Sequence, residues 1–308
     1  MPNKTYPYSY IRNKICKSKD ATISIQCKAI QYGQGCFSGI RINWNPAHKQ
    51  LYVFRLEDHY KRIKNSANIL GMRFNYSYKK FEDIIIQLIK KNKIRENSYI
   101  RPTLYSASTK LTPRFDNPDD DLAIYMISLK DYFDASSGVK TCISSYRRID
   151  DDTLSVKAKS TGGYIPSAVA KTDALRNGYQ EPIFLNRTGM VCEASGANIF
   201  MVKDGEIWTP PTAANILNGI TRRSLIEIAE REMGQKVREE NIDRSTLLSA
   251  DEVFLCGTAA RVSYVSSIDQ RKISTGKIGR QTKKLKELVT KASLGDLPGY
   301  EKWLTPIY

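Results

Sequence analysis

Apolar residues recur at helical spacing in two early stretches. Over 56–70, Tyr60, Ile63, Ala67 and Leu70 fall on one face, and over 81–89 Phe81, Ile84, Ile85, Leu88 and Ile89 do the same. Steps of three and four describe the buried stripe of an amphipathic helix. Around them the period shortens. Residues 21–25 alternate, 50–54 are apolar and aromatic, a run opens at Ser98, and 122–129 is almost continuously apolar. These predict strands, the last of them buried.

The polar stretch 130–140, containing Asp134, Ser136, Ser137 and Gly138, predicts a linker. Beyond it a strand is expected over 141–145 and a helix over 166–177, with Gly178 placed to end the helix. Short strands follow at 183–185, 190–193, 197–202 and 206–209, separated by Gly189 and the hairpin pair Asp204-Gly205. A helix is expected from Ile220 to Met233 with Thr221 as its cap, then a buried strand over 253–255. Helices and antiparallel-looking strands mix without regular βαβ alternation. That predicts an α+β protein of two domains: a small N-terminal α/β domain over 1–133, a linker over 134–140, and a large C-terminal domain over 141–308.

Composition narrows the chemistry. At 308 residues and 41% hydrophobic, the chain can build real cores. No apolar run is long enough to span a membrane and no signal core follows Met1, so a cytoplasmic protein is expected. Six cysteines lie apart without a C-x-x-C, and two histidines are too few for a His-rich centre; no metal site is expected. His59, in a charged helical stretch, is read as a surface or supporting residue. The net charge of +16 raises nucleic acid as a partner. Its Lys and Arg are dispersed among acids, however, and the densest block, 283–288, has the spacing of a solvated helix face, which argues against it.

One segment carries reactive potential. Lys159 is followed by Ser160-Thr161-Gly162-Gly163-Tyr164, an amine beside a glycine pair and a phenol. A desolvated lysine amine condenses with aldehydes, which is how pyridoxal phosphate is attached to enzymes. Neither standard phosphate loop occurs. Two segments can replace one: Asn218-Gly219-Ile220-Thr221 at a helix start, and Gly257-Thr258-Ala259-Ala260 after a buried strand. Glu193, ending an apolar strand, can hold a protonated pyridine nitrogen if it points inward.

In this order Lys159 with Gly162-Gly163-Tyr164, Glu193-Ala194-Ser195-Gly196-Ala197-Asn198, Thr209-Pro210-Pro211, Leu217-Asn218-Gly219-Ile220-Thr221-Arg222 and Gly257-Thr258-Ala259-Ala260 resemble the fold type IV (class IV) aminotransferases, whose fold is that of the aminodeoxychorismate lyases and D-amino-acid aminotransferases. Tyr32-Gly33, Phe37, Gly39-Ile40-Arg41, His59-Tyr60-Lys61-Arg62 and Tyr99-Ile100-Arg101-Pro102 look like the branched-chain amino-acid aminotransferase branch.

The resemblance implies pyridoxal 5′-phosphate on Lys159, which would also move the substrate proton; Lys157 has the wrong spacing to Tyr164. Tyr164 would meet the cofactor's 3′ oxygen and Glu193 its ring nitrogen. Arg62, the N–H groups of Ile220 and Thr221, and Thr258 would hold the phosphate; Asn198, Leu217, Gly219 and Gly257 complete the cofactor set. Tyr99 and the turn Thr258-Ala259-Ala260 would take the substrate α-carboxylate. Tyr32, Phe37 and Tyr146 would wall an apolar pocket, and Arg101 with Arg41 would bind a distal carboxylate. The implied partners are amino acids and 2-oxo acids, with a neighbouring subunit completing the site of a homodimer or larger homo-oligomer. Three features depart from the branch: Ser38 stands where a glutamate is usual, Tyr146 where a tryptophan is common, and 106–113 lacks a glycine-rich loop. D-amino-acid aminotransferase or aminodeoxychorismate lyase activity is the alternative on this fold, and a catalytically inactive basic binding protein a more distant one.

Overall fold

The computed structural model describes residues 5–115, 119–129 and 137–308. Its chain divides into two compact units: Met1–Lys130 with Ala158–Gly162 and Ala292–Tyr308, and Asp131–Lys157 with Gly163–Lys291.

The first unit opens with a hairpin absent from the sequence reading, β1 (Tyr8–Ile11) and β2 (Lys14–Lys17). Arg12 and Asn13 between them both take positive φ, the backbone twist that a two-residue hairpin turn needs. There follow α1 (Lys28–Tyr32), β3 (Gly35–Phe37), β4 (Ile40–Asn45) and β5 (Gln50–Phe54). Two fourteen-residue helices, α2 (Leu56–Ile69) and α3 (Tyr78–Lys91), precede β6 (Ser98–Ser106) and β7 (Asp120–Ser128). The eight-stranded sheet runs from the C-terminal strand Leu304–Pro306 through β5, β4, β6, β7, β1 and β2, with β3 also paired to β6.

The helical stripes fall where their period puts them. Ile63 and Ala67 of α2, with Phe81, Ile85, Leu88 and Ile89 of α3, are fully buried in one core with Ile40, Ile42, Ile100, Leu104 and Ile124 of the sheet. Each large aliphatic or aromatic side chain so placed stabilises the unit by about 2 kcal/mol. Ser77 caps α3 by accepting from the Lys80 N–H. The expected strand at 21–25 does not form. Its alternation has no partner strand to pair with, and Ile25 is 83% exposed.

The second unit holds β8 (Val139–Arg147), α4 (Ile165–Arg176), β9 (Glu181–Leu185), β10 (Val191–Ala194), β11 (Asn198–Lys203) and β12 (Glu206–Thr209). After these come α5 (Ile220–Met233), β13 (Arg238–Glu239), α6 (Arg244–Leu248), β14 (Glu252–Gly257), β15 (Arg261–Ile268) and β16 (Arg271–Lys272), then α7 (Arg280–Leu294). The sheet order is β10-β9-β8-β15-β14-β11-β12-β13, and an added pairing of β10 with β11 closes the path β10 to β11 into a ring. Closing the ring pairs the otherwise open edge of β10 and fixes the strand ends that carry Glu193 and Asn198, which are register partners. Pairing is mixed: β8 runs parallel to β9 and β15, and the other ring pairs are antiparallel.

Turn chemistry is as expected at Asp204 and Gly205, both at positive φ, and at Gly178 just beyond α4. Thr221 does not cap α5; Gly219 is the N-cap and Thr221 lies inside the first turn. The basic block 283–288 is helical within α7, with Lys283 and Lys284 exposed and Leu285 and Leu288 buried. Of the expected linker, 134–136 lie outside the described residues, and β8 begins at Val139. The two units differ from the expected limits: the second begins at Asp131, and 158–162 and 292–308 pack with the first unit, not with the rest of the C-terminal half.

Candidate active site

The lysine segment is held as an extra edge of the first unit. Phe37 N–H donates to the Lys159 carbonyl at 3.0 Å, Thr161 N–H to Gly35 at 2.8 Å and Gly162 N–H to Gly33 at 3.1 Å. Cys36 and Ser160 form an antiparallel bridge, and Lys159 N–H donates to Ser66 Oγ of α2 at 3.1 Å. These bonds explain why a piece of chain distant in sequence joins this unit. Gly33, at φ 66°, allows the approach; a Cβ there would lie 3.0 Å from the Gly162 Cα.

The Lys159 Nζ lies 5.1 Å from the centre of the buried Phe37 ring, and the Arg101 guanidinium 4.4 Å from the same ring. Aromatic faces attract cations, so Phe37 orients both. Arg101 also donates to Tyr99 Oη at 2.8 Å. Tyr99 lies over Gly39, where a Cβ would fall 1.9 Å from the phenol oxygen. Arg41, buried on β4, is the register partner of Tyr99 on β6. Arg62 on α2 donates to Ser38 Oγ at 2.8 Å, and Ser38 Oγ is 2.8 Å from His59 Nδ1. Lys157, by contrast, is exposed and pairs with Asp151 at 3.6 Å. Tyr32 ends α1 with an exposed ring. Lys159, Phe37, Tyr99, Arg101, Arg41 and Arg62 are thus gathered in one unit.

The second unit gathers another set. Glu193 is buried, its Oε1 2.7 Å from Arg148 Nη2. Its Oε2 accepts from Asn198 Nδ2 at 2.9 Å and from the Leu217 N–H at 3.2 Å. Asn198 Nδ2 also donates to the Leu217 carbonyl at 2.9 Å, tying β11 to the loop before α5. A Cβ on Gly219 would fall 2.1 Å from Asn198 Oδ1, so only glycine lets this loop close on the asparagine. Gly257 packs against Gly196 and Ala197, and Thr258, Ala259 and Ala260 form the turn from β14 to β15. Tyr164 stands at the N-cap of α4 without capping it by its side chain, and Tyr146 is an exposed ring on β8.

These residues fit pyridoxal phosphate. The α5 N-cap is a glycine with no side-chain cap, which leaves the first-turn amides of a fourteen-residue helix for an anion. Glu193, in the second unit, is a buried carboxylate of the kind that suits a protonated ring nitrogen, and Lys159, in the first, carries an amine of the kind that binds the cofactor. Among the described residues no group of His, Cys, Asp and Glu could hold a metal. Burial pushes the Cys36 and Cys192 thiols up to about 12, so neither is a nucleophile near neutral pH. A cleft of about 370 Å³ in the first unit, lined by Arg12, Tyr105, Asp119, Asp120 and Asp121 among others, includes none of the candidate residues.

Two participants, Arg148 and Ser66, carry no signal in the sequence. His59 is not at the surface; it is 1% exposed and hydrogen-bonded. In α2, Ile63 and Ala67 mark the buried face, and His59 one turn earlier falls on it; that periodicity was the available signal.

The family described as Amino-transferase class IV matches residues 35–268. A probable branched-chain-amino-acid aminotransferase of Aquifex aeolicus (strain VF5) is 42% identical over 301 residues, covering 98% of this chain and 97% of that protein. The branched-chain aminotransferase of Thermoproteus uzoniensis, solved with norvaline, superposes with TM-score 0.93 at 34% identity and full coverage of both chains. The branched-chain amino acid aminotransferase of Thermobaculum terrenum, solved in its PLP-bound holo form, gives TM-score 0.94 at 30% identity, covering 99% of each chain. With that match over most of its length and relatives of this identity along the whole of it, the chain belongs to the class IV aminotransferases.

Proposed function

We propose that this protein is a pyridoxal-phosphate-dependent branched-chain amino-acid aminotransferase, moving the amino group of an apolar L-amino acid to 2-oxoglutarate. The 42% identity with a probable branched-chain-amino-acid aminotransferase over 98% of the chain carries this reading. When bound, pyridoxal phosphate supplies an electron-accepting ring that takes up charge from the substrate Cα.

The protein's own residues do the rest. Lys159 holds the cofactor by its amine and moves a proton at the substrate Cα. Glu193 keeps the ring nitrogen protonated, and the hydrogen bonds from Arg148, Asn198 and Leu217 keep Glu193 ionised and oriented. Tyr164 donates to the 3′ oxygen. Arg62, the amides of Ile220 and Thr221, and Thr258 take the phosphate, with Gly219 and Gly257 giving the backbone room to approach. Tyr99 and the turn Thr258-Ala259-Ala260 orient the α-carboxylate. Phe37, Tyr32 and Tyr146 exclude water from the apolar side chain, while Arg101, with Arg41, binds the distal carboxylate of glutamate. We place the enzyme in the cytoplasm as a homodimer or larger homo-oligomer.

The test is turnover with 2-oxoglutarate of L-leucine and L-valine beside D-alanine, with aminodeoxychorismate as a lyase substrate. Turnover of the L-amino acids supports the reading. Turnover confined to D-alanine or aminodeoxychorismate overturns it.

A further inference from the structure

We propose that Glu181 is a positioning residue: paired with Lys171, it anchors the Ser195-Gly196 turn, and through that turn the backbone at Gly257 that leads into Thr258-Ala259-Ala260. Its link to function rests on the reading that this second turn takes the substrate α-carboxylate. Glu181 opens β9 and is buried. Its Oε1 accepts from the Ser195 N–H at 2.8 Å and from the Ser195 hydroxyl, and its Oε2 pairs with Lys171 Nζ of α4. Lys171 also donates to the Gln180 carbonyl, and Gln180 exchanges two bonds with Lys140 of β8, at 2.7 and 2.8 Å. The carboxylate is thus presented from a backbone that is itself held in place.

The anchored turn is short and closely packed. Glu193 and Asn198 are register partners across it, and the Ala194 N–H donates to the Ala197 carbonyl at 2.8 Å, so Ser195 and Gly196 alone lie between. Its far side meets β14. Asn198 is the register partner of Cys256, and a Cβ on Gly257 would lie 3.4 Å from the Gly196 carbonyl oxygen and 3.7 Å from the Ala197 Cα. Backbones in such contact shift together, because a packed interior has no slack to absorb the movement of one alone. A buried ion pair stabilises a fold little more than apolar side chains of the same volume. What the carboxylate adds, and an apolar side chain cannot, is the acceptor for the Ser195 N–H and hydroxyl. Glu181 therefore acts through Ser195 on the position of Gly257.

Two double variants separate positioning from stability. Lys171→Met/Glu181→Met removes both charges and the acceptor; Lys171→Met/Glu181→Gln removes both charges but keeps an amide oxygen for Ser195. In the holoenzyme the first is expected to raise the KM for L-leucine and for 2-oxoglutarate about tenfold, since both carry the α-carboxylate, with kcat changed much less. It should also speed amide hydrogen exchange in peptides spanning 193–198 and 256–261. The second is expected to match the wild type in both measurements. Equal behaviour of the two variants, or unchanged exchange over 256–261 in the first, would overturn the proposal. Faster exchange at both turns without a change in KM would keep Glu181 as the anchor and remove the α-carboxylate from the Thr258 turn. Should the first variant not fold, the wild type decides: the Ser195 amide must exchange slowly, and exchange at the rate of an unstructured chain would refute the anchor.

Discussion

Arg148 and Glu193 form an ion pair at 2.7 Å with both side chains largely withdrawn from solvent, at 12% and 7% exposure. Removing one partner of such a pair strands a charge in a poor solvent. Arg148→Met is therefore expected to destabilise the protein by about 3 kcal/mol, read as a lowered urea midpoint with an unchanged slope. A loss under about 0.5 kcal/mol, typical of surface pairs, would mean that water reaches Glu193 freely.

Glu193→Gln keeps the shape but removes the anion proposed to hold a proton on the ring nitrogen. The expected result is a kcat lower by about a hundredfold or more, with cofactor binding reduced far less. The ¹⁵N shift of labelled pyridoxal phosphate in the holoenzyme should move from protonated to unprotonated nitrogen. An unchanged shift would remove Glu193 from this role.

Gly219→Ala should weaken cofactor binding by about tenfold, because its Cβ would fall 2.1 Å from Asn198 Oδ1 and force the asparagine away. Asn198 would then lose its bonds to Glu193 and to the Leu217 carbonyl. Titration of the apo variant checks this. Wild-type affinity would show that the loop can shift at no cost.

Arg101→Met is expected to raise the KM for 2-oxoglutarate about tenfold or more, and to change that for the 2-oxo acid of leucine little. Equal effects on both would mean that Arg101, stacked on Phe37 and bonded to Tyr99, supports the site without touching the distal carboxylate.

The buried thiols give a pH dependence. Burial raises Cys36 and Cys192 from 9.0 to about 12, so the folded state holds these protons more tightly than the unfolded chain. Their contribution is fully present below the unfolded pKa of 9.0 and is lost as pH rises toward 12. Thermal midpoints should fall over that window, and less steeply in Cys36→Ala/Cys192→Ala than in wild type.

Much of this was legible in the chain because it depends on local rules. The stripes of α2 and α3, the turns at Asp204-Gly205 and Gly178, and the glycine-marked helix start all follow from short-range geometry. What failed depends on partners. Residues 21–25 alternate like a strand but have no neighbour to pair with, while β1 and β2 pair through Arg12 and Asn13, which carry no glycine signal. The joining of 158–162 to the first unit rests on backbone bonds to 33–37, which side-chain patterns do not encode. The roles of Arg148 and His59 likewise needed three-dimensional neighbours: an arginine next to Arg147 shows nothing until Glu193 faces it. Lys159 before a glycine pair, Glu193 and the two glycine-containing phosphate segments stand out by residue type and place, whereas the remaining candidates came from the family resemblance.

Everything central hangs on which amine holds the cofactor. The most direct measurement is to load the protein with pyridoxal phosphate, reduce the lysine–cofactor bond with borohydride, digest, and locate the added mass. The account predicts the label on Lys159, anchored by Phe37 and Ser66, and none on the exposed Lys157 two residues earlier. A label on Lys157 or any other lysine, or none at all, would contradict it.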